Sequence, residues 1–151
     1  MMTLETLKNN VSGKKVLIDT NIIIYLTDEI QPYHPLSQEL FTMIEQGKTK
    51  AVISILSVSE VMQGPIKAGK TNLAFEVRDY LLNFPNSQCQ YITYDIVERI
   101  GNDARINWKV LRSVDSLIIA CGLYTEVDLF ISNDRHFIKA LPSSMLLTFD
   151  H

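Results

Sequence analysis

The sequence predicts an α/β protein built on a parallel sheet with helices on both faces. Short apolar, β-branched runs alternate with longer segments of helical period, the signature of successive βαβ units. The short runs are apolar throughout, as strands buried on both faces should be. Stop signals at Gly47, Gly64-Pro65 and Phe84-Pro85-Asn86 separate the segments.

Lys15 to Ile18 is the first strand, and Asn21 to Leu26 a short helix after it. His34-Pro35 introduces a helix to about Gln46, with Leu36, Leu40, Met43 and Ile44 on one face. Ala51 to Ser54 is the second strand. Ile55 to Met62 follows as a helix that Gly64-Pro65 interrupts. Thr71 to Asn83 is helical, with Leu73, Val77, Tyr80 and Leu81 as its stripe. Gln90 to Ile92 is the third strand, and Thr93 caps a helix to about Asn107. Ser113 caps another, Val114 to Tyr124, around Leu117, Ile118, Ala120 and Cys121. Asp128 to Ile131 is the fourth strand, a helical turn follows Asp134, and Met145 to Thr148 supplies a fifth strand.

At 151 residues, 46% apolar and 21% charged, the chain fits one domain, 1–151, with an ordinary globular core. Its longest apolar stretches, such as Leu117 to Leu123, are too short to span a bilayer. The start MMTLETLKNN lacks a basic segment followed by an apolar block, so no secretory signal is read and a cytoplasmic location is expected. Cys89 and Cys121 form no zinc-spaced set, and Cys121 is expected as a buried free thiol. A net charge of −3 does not point to nucleic acid, although acids gathered around a cation would mask a basic remainder.

Four carboxylates stand out. Asp19 follows the first strand, and Glu60 lies in the helix after the second. Asp115 opens the helix before the fourth strand, and Asp134 follows that strand. Each has an ordinary structural role open to it. Asp19 and Asp134 can cap the helices after them. Ser57-Val58-Ser59-Glu60 reads as a capping box. Asp115 sits where a helix dipole favours an acid. Taken singly, these structural roles come first.

Together, the four occupy places that can face one crevice at the carboxyl edge of a parallel sheet, where such sheets gather ligands. Convergent carboxylates repel one another and stay ionised only beside a cation. An all-oxygen set suits a hard ion, Mg²⁺ or Mn²⁺. Two such ions about 4 Å apart could activate water and stabilise the leaving oxygen of a phosphodiester.

The segments DTN at 19–21, SVSEV at 57–61, SVDSLIIACGL at 113–123 and FISNDRHF at 130–137 resemble, in order and spacing, the motifs of the PIN domain. The resemblance runs from Val16 to about Leu147. It implies a three-layer α/β/α fold with a parallel five-stranded sheet, and a magnesium-dependent ribonuclease of the kind found as VapC toxins. It also implies that Asp19, Glu60, Asp115 and Asp134 form the acidic quartet, both catalytic and metal-binding. By the same resemblance Asn21 and Ser132 are supporting polar residues. The family often carries a second acid in the last motif, as in DRDF; His136 stands there in this chain.

On that reading Asp19 and Asp115 hold the main Mg²⁺, while Glu60 and Asp134 complete the site or bind a second ion. Substrate RNA needs cations around its phosphates. Lys14, Lys15, Lys109, Arg112 and Arg135 flank the motifs. Arg112, three residues before Asp115, is the preferred contact, and the two lysines, at the far end of their strand, are not. Trp108 could stack on a base, but a lone Trp beside a helical pattern belongs more often to the core. His34, His136 and His151 are scattered and receive no role. The resemblance further implies an antitoxin partner and a homodimer through helices, with Leu36–Ile44 and Leu73–Leu82 as possible faces. Two other readings compete: a non-catalytic nucleic-acid-binding module of the same fold, and an aspartate-based phosphatase or receiver-like domain. The latter is disfavoured because Asn21 stands where a phosphatase has its second Asp, and Lys14-Lys15 where a receiver has paired acids.

Overall fold

A computed structural model describes residues 1–150; His151 lies outside the described residues. The elements run α1 (Leu4–Val11), β1 (Lys15–Ile18), α2 (Thr20–Thr27), α3 (His34–Glu45), β2 (Lys50–Ser54), α4 (Ile55–Lys67), α5 (Thr71–Leu82) and β3 (Ser87–Gln90). They continue with α6 (Tyr94–Arg99), a 3₁₀ turn (Trp108–Val110), α7 (Ser113–Tyr124), β4 (Leu129–Ile131), α8 (Arg135–Ala140) and β5 (Leu146–Leu147). The five strands form one all-parallel sheet in the order β3-β2-β1-β4-β5, as expected.

The period of two along a strand divides the core. Val16, Ile18, Ala51, Ile53, Leu129 and Ile131 face one way and pack with helices α1 to α5. Leu17, Val52 and Phe130, the residues between them, face the other way and pack with α6 to α8. The result is three layers, helices on each side of a sheet whose central strand is buried on both faces.

The connectivity places the site. From β1 the chain builds outward through β2 to β3, then returns to the other side of β1 for β4 and β5. The order reverses between β1 and β4, and loops leaving two adjacent carboxyl ends in opposite directions open a crevice there. Asp19 follows β1 and Ser132 to Asp134 follow β4, on either side of that crevice.

Several local expectations need correction. Helix α1 has no counterpart among the predicted elements; Thr3 caps it by accepting from the Thr6 amide at 3.1 Å. Helix α4 runs through Gly64-Pro65 to Lys67, because a proline in the last turn forfeits a single hydrogen bond before the helix stops near Gly69, φ +75°. Its cap is Ser54, accepting from the Leu56 amide at 3.2 Å. Ser57 is therefore inside the helix, and the capping box with Glu60 does not form. The buried stripe of α5 is Ala74 and Leu81; Leu73 and Tyr80 are exposed. The third strand lies two to three residues earlier than expected. Helix α6 ends at Arg99, just before Gly101 with φ +82°, and Thr93 makes no side-chain cap. Ser113 is already in α7, whose cap position is Arg112. The Leu36–Ile44 face is consumed by the core, with Leu36, Leu40 and Ile44 at most 2% exposed.

Candidate active site

Each acid is placed by the start of a helix. Asp19 leaves β1 in extended backbone and caps α2, its Oδ1 accepting from the Thr20 amide at 2.8 Å. Asp134 caps α8, accepting from the His136 amide at 2.7 Å. Asp115, in the first turn of α7, accepts from the Arg112 amide at 3.2 Å. Glu60 lies in the second turn of α4 and reaches toward α2. For Asp19, Asp115 and Asp134 capping and convergence go together, and Glu60 joins them without capping: all four helices start at the carboxyl edge, so residues near their starts meet there.

Asp19, Glu60, Asp115 and Asp134 line one small cleft of about 170 Å³ with Thr20, Asn21 and Arg112. Asp19 and Asp115 are each only 4% exposed and form its floor. Oxygens of Asp115 and Asp134 and a ring nitrogen of His136 lie within 4.8 Å of one another. A larger cavity, about 570 Å³, lies at the opposite edge beneath the C-terminus of α7. It mixes Arg99 and Arg105 with Asp103, Glu126 and Asp128, and Arg105 is already tied to Asp103 at 2.6 Å. Size does not mark the site; the concentration of one charge does.

Around Asp19 the polar groups are closely coupled. Ser132 donates from its hydroxyl to Asp19 Oδ2 at 2.6 Å. Asn21 Nδ2 donates to the same oxygen at 3.0 Å and lies 3.2 Å from Ser132 Oγ. The Asp134 amide donates to Ser132 Oγ at 3.0 Å. Ser132 therefore spans the crevice, joining the ends of β1 and β4. Asn21 Oδ1 also accepts from the Asn133 amide at 3.1 Å. Burial pushes the Asp19 carboxyl up to about 6, and the Asp134 and Glu60 carboxylates push the same way, against the hydrogen bonds from Ser132 and Thr20.

Arg112 is not free at the rim. Its Nε donates to Asp115 Oδ2 at 2.9 Å and an Nη to Oδ1 at 3.1 Å, and that Nη is 3.8 Å from Asp134 Oδ2. The paired Asp115 carboxylate holds the guanidinium pKa above its ordinary value. His136 Nδ1 is 3.1 Å from Asp134 Oδ1. Four carboxylates against one guanidinium line the cleft, which is rich in negative charge. This oxygen-rich, crowded, partly buried set fits a hard divalent cation.

Residues expected elsewhere are elsewhere. Lys15 donates from Nζ to the Thr125 carbonyl at the amino end of the sheet, away from the acids. Trp108 is half-buried against the core, its Nε1 donating to the Asp103 carbonyl at 3.0 Å. Thr20 and Asn133 lie inside the quoted motifs, yet the sequence assigns them no role, because their roles depend on partners distant in the chain.

The five-stranded parallel sheet carries its acid-lined crevice where the strand order reverses, which defines an α/β fold with a candidate cation site at its carboxyl edge. A family model of the PIN domain matches residues 16–140, and the chain belongs to that family. This sets aside the phosphatase and receiver-like readings. No curated protein matches the chain. Among solved structures, the fold is similar to that of FitAcB from Neisseria gonorrhoeae, at 16% identity over 87% of this chain and 96% of that one, with a TM-score of 0.65. A toxin–antitoxin complex from Klebsiella pneumoniae matches at 24% identity over 81% and 89%, TM-score 0.56. VapC20 of Mycobacterium tuberculosis, a sarcin–ricin loop cleaving toxin, matches at 15% over 82% and 92%, TM-score 0.61. At these identities the likeness is one of fold.

Proposed function

We propose that the chain is a divalent-metal-dependent endoribonuclease acting on RNA phosphodiesters, and the toxin of a type II toxin–antitoxin pair. The observation that carries the chemistry is the convergence of four carboxylates from four separate segments at the point where strand order reverses. The toxin reading draws on family membership and on the similar folds, two of which belong to a toxin–antitoxin complex and a toxin.

Asp19 and Asp115 would hold Mg²⁺, with Mn²⁺ as a substitute, and Glu60 and Asp134 would complete the set. When bound, such an ion supplies positive charge for the phosphate and makes water more acidic. The chain's own groups do the rest. Ser132 and Asn21 fix the Asp19 carboxylate so that its position does not depend on the ion. Thr20 holds one oxygen of Glu60. Arg112 supplies a guanidinium at the cleft mouth, where a phosphate would enter. One domain spanning 1–151, a cytoplasmic location, an antitoxin partner and a homodimer belong to this proposal. Among the described residues no helix is long and apolar enough to cross a membrane.

The test is cleavage of a panel of structured and single-stranded RNAs with Mg²⁺ or Mn²⁺, and with chelator. Cleavage should need the ion and should fall by at least about 100-fold in Asp19→Asn and Asp115→Asn. Full activity in either variant would remove that residue from the site. Metal-independent binding of RNA without cleavage would favour the non-catalytic module.

A further inference from the structure

We propose that Arg112 is a tethered counter-ion: its guanidinium occupies the acid cluster until a divalent cation displaces it. The proposal rests on the reading of the cleft as a divalent-cation site.

Three observations carry it. The contact is two-pronged, Nε to Oδ2 at 2.9 Å and Nη to Oδ1 at 3.1 Å, so both oxygens of Asp115 are engaged. The Arg112 amide takes Oδ2 as well, at 3.2 Å. A carboxylate offers about four lone-pair directions, and three donors leave little for an ion. The same guanidinium leans to 3.8 Å from Asp134 Oδ2, so it also faces a second acid of the cleft. Finally, the burial is asymmetric. The Asp115 side chain is 6% exposed and that of Arg112 is 64% exposed. The guanidinium covers the buried acid from the solvent side, where an entering ion must pass.

An ion pair whose guanidinium is 64% exposed to solvent is weak enough to exchange, whereas a divalent ion among several carboxylates gains more. The exchange leaves the guanidinium at the cleft mouth, tethered three residues from Asp115 and free to take a phosphate. Before exchange, the same group limits repulsion among the acids. One side chain thus serves the empty and the loaded site in turn.

The test uses the full chain and two readouts besides activity. Mn²⁺ is titrated calorimetrically into the wild type, Arg112→Gln and Arg112→Lys, with Asp115→Asn as control. Arg112→Gln should bind Mn²⁺ tighter by about two- to fivefold, the range that a pair with one solvent-exposed partner can supply. Arg112→Lys, which keeps charge but not the fork, should fall between. In the wild type, Mg²⁺ should shift the Arg112 Nε–H resonance as its bond to Asp115 breaks. Equal or weaker Mn²⁺ affinity in a folded Arg112→Gln, or an unmoved resonance at saturating Mg²⁺, overturns the proposal alone. No Mn²⁺ binding by the wild type removes the cation-site reading and the proposal with it.

Discussion

The hydroxyl of Thr20 donates to Oε1 of Glu60 at 2.7 Å, joining the first residue of α2 to α4 across 40 positions. Thr20 is 9% exposed and Glu60 is exposed, so a buried group holds a solvent-facing one. Ser57 Oγ, 2.9 Å from the Thr20 hydroxyl, supports it from beneath. The contact gives Glu60 a defined direction into the cleft, which its helix position alone does not.

Thr20→Val keeps the shape and deletes the hydroxyl. It should cost about 1 kcal/mol of stability. It should also lower Mn²⁺ affinity or RNA cleavage roughly tenfold, the lower end of what partners of metal ligands contribute. Thr20→Ser should restore most of both. Titration calorimetry and cleavage rates check this; wild-type values in Thr20→Val would mean that Glu60 needs no such support.

Asp19 sets a pH dependence. Its folded pKa is raised from 3.8 to about 6, so between those values the folded chain holds a proton that the unfolded chain has lost. Stability contributed by the protonated form is full below about pH 4 and is lost as pH rises through 6. At one unit per ~1.4 kcal/mol, the ionised carboxylate costs on the order of 3 kcal/mol above pH 7 without a cation. Asp19→Asn should therefore melt higher than wild type at pH 7.5 in chelator, with the gain vanishing near pH 4. Divalent cation should raise the wild-type Tm at pH 7.5 and do much less for the variant. Scanning calorimetry at several pH values reads both effects.

The strands of the central sheet are legible in the sequence because β1, β2 and β4 are buried on both faces. Such strands must be apolar at every position, and their short Val, Leu, Ile and Phe runs, bounded by turn residues, say so directly. Strand β3, Ser-Gln-Cys-Gln, is an edge strand, half-exposed and polar. It carries no such signal, and the apolar pair Tyr91 and Ile92 draws the expected strand past its true end. Helix α1 shows only Leu7 and Val11 as buried positions, too few to mark a period. The four acids and their places at strand ends and helix starts are visible in the chain. What each touches is not. Ser57 to Glu60 fits a capping box by spacing, yet the helix is capped three residues earlier, at Ser54, because that serine ends β2. Arg112 is legible as a cation near Asp115, but not as one already bound to it.

Gly122 is a packing constraint rather than a turn. It lies in α7 against β4, and a Cβ there would collide with the Phe130 ring and meet Val127 Cγ2 at 3.2 Å. Phe130 is 1% exposed and packed in the core, so its ring must leave that packing, toward the cavity it borders with Gly122 and Val127, to admit a Cβ. Gly122→Ala gains up to about 1 kcal/mol of helix propensity but overpacks the core by about 1–3 kcal/mol. The expected net is a Tm lowered by roughly 5 °C, with cleavage unchanged at low temperature because the cleft is at the other end of the helix. A Tm at or above wild type would show that the sheet and α7 can separate without cost.

Asn133 ties the C-terminal segment to the end of β4. Its Oδ1 accepts from the Phe149 amide at 2.7 Å, and its Nδ2 donates to the Tyr25 hydroxyl at 3.3 Å. Its own amide serves Asn21, a bond that survives loss of the side chain. Asn133→Ala should therefore separate two roles that the wild type combines. Phe149 is fully buried, so its orphaned amide costs about 1–3 kcal/mol, and hydrogen exchange at that amide should quicken at least about tenfold. The Asn21–Asp19 contact should persist, leaving RNA cleavage within about twofold of wild type. Exchange measured by NMR beside cleavage rates decides it. If cleavage falls as far as protection does, residues 145–150 help to hold the acidic cleft in shape, and a partner that displaced them would act on the chemistry itself.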